Sequence, residues 1–396
     1  WKTSDMSMVP LERRSKLSWQ EDRAAATPSA ETSYNASTGK FLLARMAAQV
    51  DNKLAPRVTI VDQRLAGPPE PGKSNFFSKA LITAVFDRVR RGEQSIIFLN
   101  RRGYARVMIC EECGFEARCP DCSVAYTYSR QRETLTCHLC GGVIPAYELC
   151  PQCRSPKIRY AGVGTEKIES LAGAVFKPAR IARMDSDTMR GADDYEAVLE
   201  RFRRGELDIL IGTQMIVKGH DFPGVTLVGI LAADLSLNTP DYRSAERTFQ
   251  LLTQAAGRAG RAGKPGDVVI QTYRPEHYAV QAAAAQNYEL FYSHEINYRR
   301  LLHYPPVCQM AAVYFACGDE AVLDECAEMA ARRLRESAEC IGPVPAPVYK
   351  VNDIYRKILY IKCEKCAILD QIRGQIETLA AADTKWQAVQ IQYDIS

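Results

Sequence analysis

The sequence predicts an α/β protein: a lobe built on a parallel sheet, interrupted by a cysteine-rich insert and followed by a smaller α+β domain. Three observations predict it. Apolar runs of strand length alternate with amphipathic helical stretches from Arg57 to Tyr273, the pattern of a parallel sheet covered on both faces. Within that alternation, eight cysteines fall in four C-x-x-C pairs between Cys110 and Cys153. Beyond Pro305-Pro306 the elements follow the order strand, helix, strand, strand, helix, strand, the βαββαβ order of a ferredoxin-like domain.

Taken in order, residues 1–56 are poorly patterned. RVTIVD (57–62) reads as a strand, and residues 76–92 as an amphipathic helix that stops at Gly92, because glycine takes the left-handed conformation that ends helices. SIIFLN (95–100) is apolar throughout and reads as a buried strand. After the insert come a helix over 164–176, a strand over 179–185, a helix over 195–205 and strands over 207–213 and 225–233. A long helix is expected over 243–263 and a strand over 267–273. A helical stretch over 277–303 is ended by the two prolines. The tail reads as strand 307–316, helix 319–338, strands 346–351 and 356–362, helix 366–382 and strand 386–393. The expected divisions are therefore 1–56, 57–109, an insert at 110–156, 157–275, a helical linker at 276–306, and 307–396. There is no internal repeat and no low-complexity tract.

The chain has 396 residues and 46% apolar content, enough for two to four domains with cores of their own. Its net charge of +4, from 51 Lys+Arg against 47 Asp+Glu, does not by itself mark a nucleic-acid partner. No run of 18 apolar residues exists, so no membrane span is expected. Residues 1–23 lack the apolar centre of a signal peptide. Fourteen cysteines without an export signal point to a reducing compartment, the cytoplasm, where metal binding is a commoner use of cysteine than disulfides.

The pairs are Cys110/Cys113, Cys119/Cys122, Cys137/Cys140 and Cys150/Cys153. Each can give two thiolates to a tetrahedral Zn²⁺, and two pairs close a four-sulfur site. Eight ligands therefore mean two zinc ions, structural because no coordination position is left open; spacing alone does not say which pairs combine. Gly114, Gly141 and Gly142 suit the tight turns between ligands. Redox chemistry is the competing reading, and the density of pairs argues against it. Residues 110–160 carry six Lys/Arg and six Asp/Glu, so this is no basic finger, and protein contact or reading of DNA shape fits as well. Tyr126, Tyr128 and Tyr147 suit either base stacking or a small zinc-stapled core. Cys363/Cys366 is a lone pair and reads as structural.

QLLTQAAGRAGR (250–261) contains Gln254, Gly257, Arg258, Gly260 and Arg261 as Q-x-x-G-R-x-G-R. Two arginines three residues apart share one face of a helix. Such a pair can clamp a triphosphate and stabilise charge as the γ-phosphoryl group leaves. Upstream, GTQM and KGHDFP are expected at the end of a buried strand within DILIGTQMIVKGHDFPGVTLVGILAADLSL (208–237), and ligands of open parallel sheets bind at carboxyl ends of strands.

These stretches resemble motifs V and VI of superfamily 2 helicases, and their wording resembles the PriA family. So do FLNRRGYA (98–105), the four cysteine pairs, GVGTEKIE (162–169), RMDSDT (183–188), EINYRRLLHYPP (295–306) and IGPVPAPVYKVNDIYRKILYIK (341–362). The resemblance implies a RecA-like helicase lobe in an ATP-dependent 3′-to-5′ DNA helicase. Such a helicase recognises stalled or abandoned replication forks, assembles the primosome and loads the replicative helicase. It implies Arg261 as the arginine finger, with Arg258 and Gln254 beside the phosphates and Gly219 and Asp221 near the ribose. Thr213, Gln214 and Lys218 would face the DNA track, and Arg101 and Arg102 would position its backbone. The zinc pairs would nest: Cys110, Cys113, Cys150 and Cys153 on one ion, Cys119, Cys122, Cys137 and Cys140 on the other. ATP and Mg²⁺ are the implied cofactors of the complete protein. The implied partners of this monomer are single-stranded and forked DNA, primosome proteins and single-stranded DNA-binding protein.

The first motor lobe of such helicases is nearly absent. ATPSAE (26–31) is similar to its last motif, residues 1–23 match nothing, and there is no D-E-x-H box. The chain is therefore expected to be a C-terminal part without ATPase activity of its own. GPPEPGKS (67–74) fits G-x-x-x-x-G-K-[ST]. A phosphate loop works through successive backbone N–H groups, and Pro68, Pro69 and Pro71 have none, so this stretch reads as a linker. The rival readings are a non-catalytic zinc scaffold with a degenerate motor lobe, another superfamily 2 enzyme, and a cysteine oxidoreductase.

Overall fold

A computed structural model describes residues 6–10, 23–25, 27–45, 55–66, 76–99, 107–120, 125–129, 133–137, 140–161, 165–184, 192–213, 216, 222–237, 241–260, 265–351, 353–364 and 366–395. The chain forms two compact units. The first comprises Trp1–Glu116, Tyr147–Thr239 and Arg243–His294; the second comprises Ala117–Ala146, Pro240–Tyr242 and Glu295–Ser396. Among the described residues no helix is long and apolar enough to cross a membrane.

The first unit opens with more order than its sequence pattern suggests. Strands β1 (Met6–Pro10), β2 (Arg23–Ala25) and β3 (Phe41–Arg45) form an antiparallel sheet in the order β2-β1-β3. Helix α1 (Ala30–Ser37) lies between the last two in sequence. Ser29 starts that helix, its hydroxyl accepting the Thr32 N–H, as N-cap residues do.

The main sheet has six parallel strands. They are β4 (Arg57–Asp62), β5 (Gln94–Leu99), β11 (Ile181–Met184), β12 (Ile209–Gly212), β13 (Val225–Leu231) and β14 (Asp267–Thr272), in the order β11-β12-β5-β13-β14-β4. Strands β5, β12 and β13 are buried along their whole lengths, which is why they read as continuous apolar runs. One face carries α2 (Lys79–Arg91) and α3 (Thr165–Val175), whose Leu81, Val85 and Ile168, with Phe176 just beyond α3, pack with Ile97, Ile209 and Leu227 of the sheet. Gly92 ends α2 in the left-handed conformation, as expected. The other face carries α4 (Ala192–Arg203), α6 (Ser244–Ala256), α7 (Tyr278–Ala284) and α8 (Tyr288–Leu301). Leu199, Phe202, Phe249, Leu252, Val280 and Phe291 pack there against Ile96, Val228 and Ile270. The short α5 (Asp234–Leu237) precedes α6.

Two helix expectations need correction. The helix expected over 243–263 stops at Ala256. Gly257 caps it, the Arg258 and Ala259 N–H groups reach back only three residues, and Gly260 turns to φ 76. The stretch 277–303 is two helices, parted by a turn in which Gln286 has φ 50.

In the second unit, β15 (Gln309–Cys317), α9 (Glu320–Leu334), β16 (Glu339–Val351), β17 (Ile354–Cys363), α10 (Cys366–Ala382) and β18 (Gln390–Ile395) make the expected βαββαβ unit. Its sheet is antiparallel in the order β16-β17-β15-β18, the ferredoxin-like arrangement. Strand β16 starts seven residues before the expected 346. Pro343, Pro345 and Pro347 disguise it, and they are tolerated because β16 is an edge strand with irregular register. One face of the sheet packs Val313, Phe315, Leu359 and Ile361 against Leu323 and Cys326 of α9 and Ile372 and Ile376 of α10. A smaller antiparallel sheet, β7 (Thr127–Ser129), β8 (Thr134–Thr136) and β9 (Val143–Pro145), also belongs to this unit. Asp324 and Glu325 lie within α9, paired with Lys357 and Lys385, and form no acidic box.

A layered stack completes the unit. The Arg299 guanidinium lies 5.2 Å from the Tyr242 ring, Tyr242 stacks on Tyr304 at 4.8 Å, and the Lys362 ammonium sits 4.5 Å over Tyr304. Arg299 is fully buried with Glu295, at 2.7 Å, as its counter-ion. Glu295→Ala strands a buried guanidinium, so it should lower stability by about 3–5 kcal/mol in denaturant unfolding. Glu295→Met combined with Arg299→Met should cost clearly less.

Candidate metal and motor sites

The insert leaves the carboxyl end of β5 on an antiparallel stalk: β6 (Val107–Cys110) pairs with β10 (Ile158–Ala161), Cys110 opposite Ile158. Three of the four cysteine pairs then repeat one hydrogen-bond scheme. The Cys110 N–H donates to Phe115 O and the Gly114 N–H to Cys110 O, at 2.8 and 3.0 Å. Cys137 with Gly142 and Gly141, and Cys150 with Ser155 and Arg154, do the same at 2.8–2.9 Å. The residue after the second cysteine is left-handed each time: φ is 75 at Gly114, 75 at Gly141 and 62 at Arg154. Arg154 does without glycine what the glycine pattern signalled at the other two.

These knuckles bring sulfurs together. Those of Cys110, Cys113, Cys150 and Cys153 all lie within 4.8 Å of one another, with Cys110–Cys153 at 3.5 Å and Cys113–Cys150 at 3.6 Å. Four Zn–S bonds of about 2.3 Å make a tetrahedron with edges of about 3.8 Å, so spacing and donor set fit Zn²⁺. Cys119, Cys137 and Cys140 form a second such group, with Cys119–Cys140 at 3.5 Å. Cys122 lies outside the described residues. Burial pushes the Cys113 thiol up and the Cys140 thiol up to about 11. At Cys150 burial acts the same way, yet backbone N–H groups of Cys153 and Gln152 outweigh it and bring the thiol down. A bound dication reverses such suppression and deprotonates its thiols outright. Cys363 is buried at the end of β17 and joins neither group. Tyr126 is only 4% exposed, and Tyr147 meets Phe115 edge-on at 6.4 Å.

Of the residues expected to serve a motor, the described ones, Thr213, Gln254 and Arg258, fall at different edges of the sheet. Thr213 follows β12 at its carboxyl end, half-buried. The chain then returns, and Phe222 lies at the amino end of β13, where its carbonyl accepts the Val225 N–H. Phe222 and Pro223, the last two residues of KGHDFP, thus lead into β13, and the four before them lie outside the described residues. The arginine segment sits at that same amino edge. The Gly260 N–H donates to Val225 O at 3.1 Å, and a Cβ on Gly266 would lie 2.3 Å from the Ala259 carbonyl carbon. Gln254 is exposed on the last turn of α6 and Arg258 is half-buried on the turn beyond it; the helical face expected to be shared by Arg258 and Arg261 cannot be traced past Gly260, where the described residues break off. Arg261, Gly219, Asp221, Gln214, Lys218, Arg101, Arg102 and the 67–74 stretch lie outside the described residues.

The start of α6 is gripped by Ala30 and Glu31 of α1. The Ala30 N–H donates to Glu246 Oε1 at 3.2 Å, and Glu31 lies 3.4 Å from Arg243. Asp234 escaped notice in the sequence. It is buried at the head of α5, accepting the Thr272 hydroxyl at 2.6 Å and the Tyr273 N–H at 2.9 Å, and burial raises its pKa. Only the setting of an aspartate inside the largely apolar run AADLSL hinted at it.

Three family models match. Residues 300–395 match the primosomal protein N C-terminal domain, residues 162–263 the helicase conserved C-terminal domain, and residues 119–145 the PriA DNA helicase Cys-rich region domain. The chain is 39% identical over 376 residues to replication restart protein PriA of Bacillus subtilis, covering 94% of this chain and 46% of that protein. It is 38% identical to that of Synechocystis (79% and 38% covered) and 36% identical to that of Chlamydia trachomatis (90% and 48%). Among solved structures, yeast Dbp5 bound to RNA and ADP BeF3 matches over 70% of this chain and 54% of its own, at 12% identity and a TM-score of 0.32. The chain spans about half the length of the curated relatives it matches, from a motor-lobe sheet through the cysteine insert to the tail, and over that span it belongs to the PriA family.

Proposed function

We propose that this chain is the second motor lobe, zinc insert and tail of an ATP-dependent 3′-to-5′ DNA helicase that restarts replication at stalled or abandoned forks through primosome assembly and replicative-helicase loading. The observation that supports this reading is that Thr213 and the 254–260 segment lie at opposite edges of the sheet. Thr213, assigned to the DNA track, sits at the carboxyl edge. The arginine segment, assigned to the nucleotide, is bolted to the amino edge by Gly260 and Gly266. A motor needs this separation, because one lobe must hold nucleotide and strand at once. Arg258 and Arg261 would stabilise charge on the transferring phosphoryl group, with Gln254 beside the phosphates and Gly219 and Asp221 near the ribose. Gln214, Lys218, Arg101 and Arg102 would join Thr213 along the DNA backbone. ATP and Mg²⁺ would bind against a first lobe. The working partners would be single-stranded and forked DNA, primosome proteins and single-stranded DNA-binding protein, met by a monomer in the cytoplasm.

The two sulfur groups would each hold one structural Zn²⁺, with Cys122 completing the second. Elemental analysis of the purified chain should give two zinc ions per monomer, and a count of one or none would sink this assignment. Structural zinc supplies on the order of 10 kcal/mol of folding free energy per site. Chelation should therefore unfold the insert while the parallel sheet keeps its far-ultraviolet signature.

The chain alone should not hydrolyse ATP in steady-state assays with single-stranded DNA, because an arginine finger accelerates a competent site and cannot create one. Restored turnover on joining a first lobe that carries a phosphate loop, lost again in Arg261→Ala, is the expected pattern. In that complete enzyme Gly266→Ala should also cost about 10²-fold in turnover, since small misplacements of catalytic groups cost that much. Gly173→Ala, which meets nothing within 4 Å, should cost nothing. Equal activity of the two variants would remove the anchored turn from the mechanism.

A further inference from the structure

The first sulfur group is anchored to the carboxyl edge of the motor sheet by residues outside the insert. Glu116 faces Ile109 in an antiparallel bridge, beside the Phe115 carbonyl that accepts the Cys110 N–H. Its side chain is 2% exposed, and its Oε2 accepts from the Arg274 guanidinium at 2.7 Å. Arg274 lies just past the end of β14, and its own N–H donates to Thr272 Oγ1 at 3.0 Å, the hydroxyl held by Asp234. From the end of β4, Arg64 donates to the Cys113 carbonyl at 3.3 Å. Arg64 is itself held by Asp62 at 2.7 Å and Glu276 at 3.2 Å. Between these two contacts the knuckle lies flat on the strand end: a Cβ on Gly114 would sit 2.4 Å from Tyr273 O. Cys119, Cys137 and Cys140 lie in the second unit, which contains neither arginine.

We propose that Arg274 and Arg64 are positioning residues that hold the Cys110–Cys113–Cys150–Cys153 group in ligating geometry from the motor sheet, so that this group retains its metal through the lobe while the second group does not. The charge pair acts through the backbone. It fixes Glu116, hence the Phe115 carbonyl and the Cys110 amide; Arg64 fixes Cys113 from the other side. Groups one step removed from the ligands commonly govern metal affinity by about 10- to 100-fold. This inference rests on the reading of the insert as a two-zinc module.

The experiment follows zinc release from the whole chain to a chromophoric chelator under native conditions. Elemental analysis comes first: fewer than two zinc ions in the wild-type chain overturns the zinc reading, and this proposal with it. Given two, Arg274→Ala should accelerate one release phase by about 10- to 100-fold and leave the other unchanged. Cys119→Ser, which breaks the second group, should abolish the unaffected phase and so assign the affected one. Arg274→Lys should restore most of the slow rate, and Glu116→Gln, which keeps shape and removes charge, should match Arg274→Ala even if that variant folds poorly. Equal acceleration of both phases, or of neither, overturns the anchoring proposal while the zinc count stands.

Discussion

The placing of the candidate sites in the first unit follows from six strands that all run the same way. A parallel sheet has one amino edge and one carboxyl edge, and each crossover must return the chain from the second to the first. The stalk of the cysteine insert, Arg64, Thr213, Asp234 and Arg274 all come from ends of strands, so they collect at the carboxyl edge. The Phe222 turn and the arginine segment come before strands, so they collect at the amino edge. Helix α6 runs between the two, with Ala30 and Glu31 gripping its start and the Arg258 turn at its finish. Strand direction therefore sorts the chemistry before any side chain is chosen.

The structure also explains how an insert can sit in mid-lobe without disturbing it. A two-stranded stalk brings the chain back to Ala161 beside Val107, so the sheet experiences the insertion as a loop. The price is a carboxylate, Glu116, taken almost wholly out of water, and it is tolerated because Arg274 meets it at 2.7 Å. Asp234 is a second buried acid on the same edge, satisfied by a hydroxyl and a backbone N–H. Polar groups in such places are kept for alignment, since well-packed apolar residues would be at least as stabilising.

Much of this was legible in the residues. The strands of the parallel sheet announce themselves because burial on both faces demands continuous apolar runs, and the cysteine pairs do so because knuckles need a fixed spacing. The tail order was readable from alternation alone. What sequence hid has physical causes. The arginine segment reads as helix because QLLTQAAGRAGR has helical composition, and tertiary contacts to Val225 and Gly266 override that propensity. Strand β16 was cut short by prolines that an edge position excuses. Residues 6–25 carry no periodicity, yet β1 finds β3 across about 35 positions of chain, which local pattern cannot report. The anchoring arginines were invisible because their partners lie far away in sequence, Arg274 by 158 positions from Glu116.

One contact of the second unit bears on how the chain is made. Gly141, in the second group of knuckles, packs on Val344 so closely that a Cβ would lie 2.9 Å from its methyl. Val344 leaves the ribosome about 200 residues later, which at about 5–20 residues per second is an interval of about 10–40 s. Through that interval residues 117–146 exist without the sheet they finally rest on. A small partner that arrives by diffusion is within reach throughout, and the thiols of Cys119, Cys137 and Cys140 are spaced for a metal ion. Zinc capture during synthesis would then precede completion of the tail, so that the second group of knuckles is shaped by its metal before it meets its sheet.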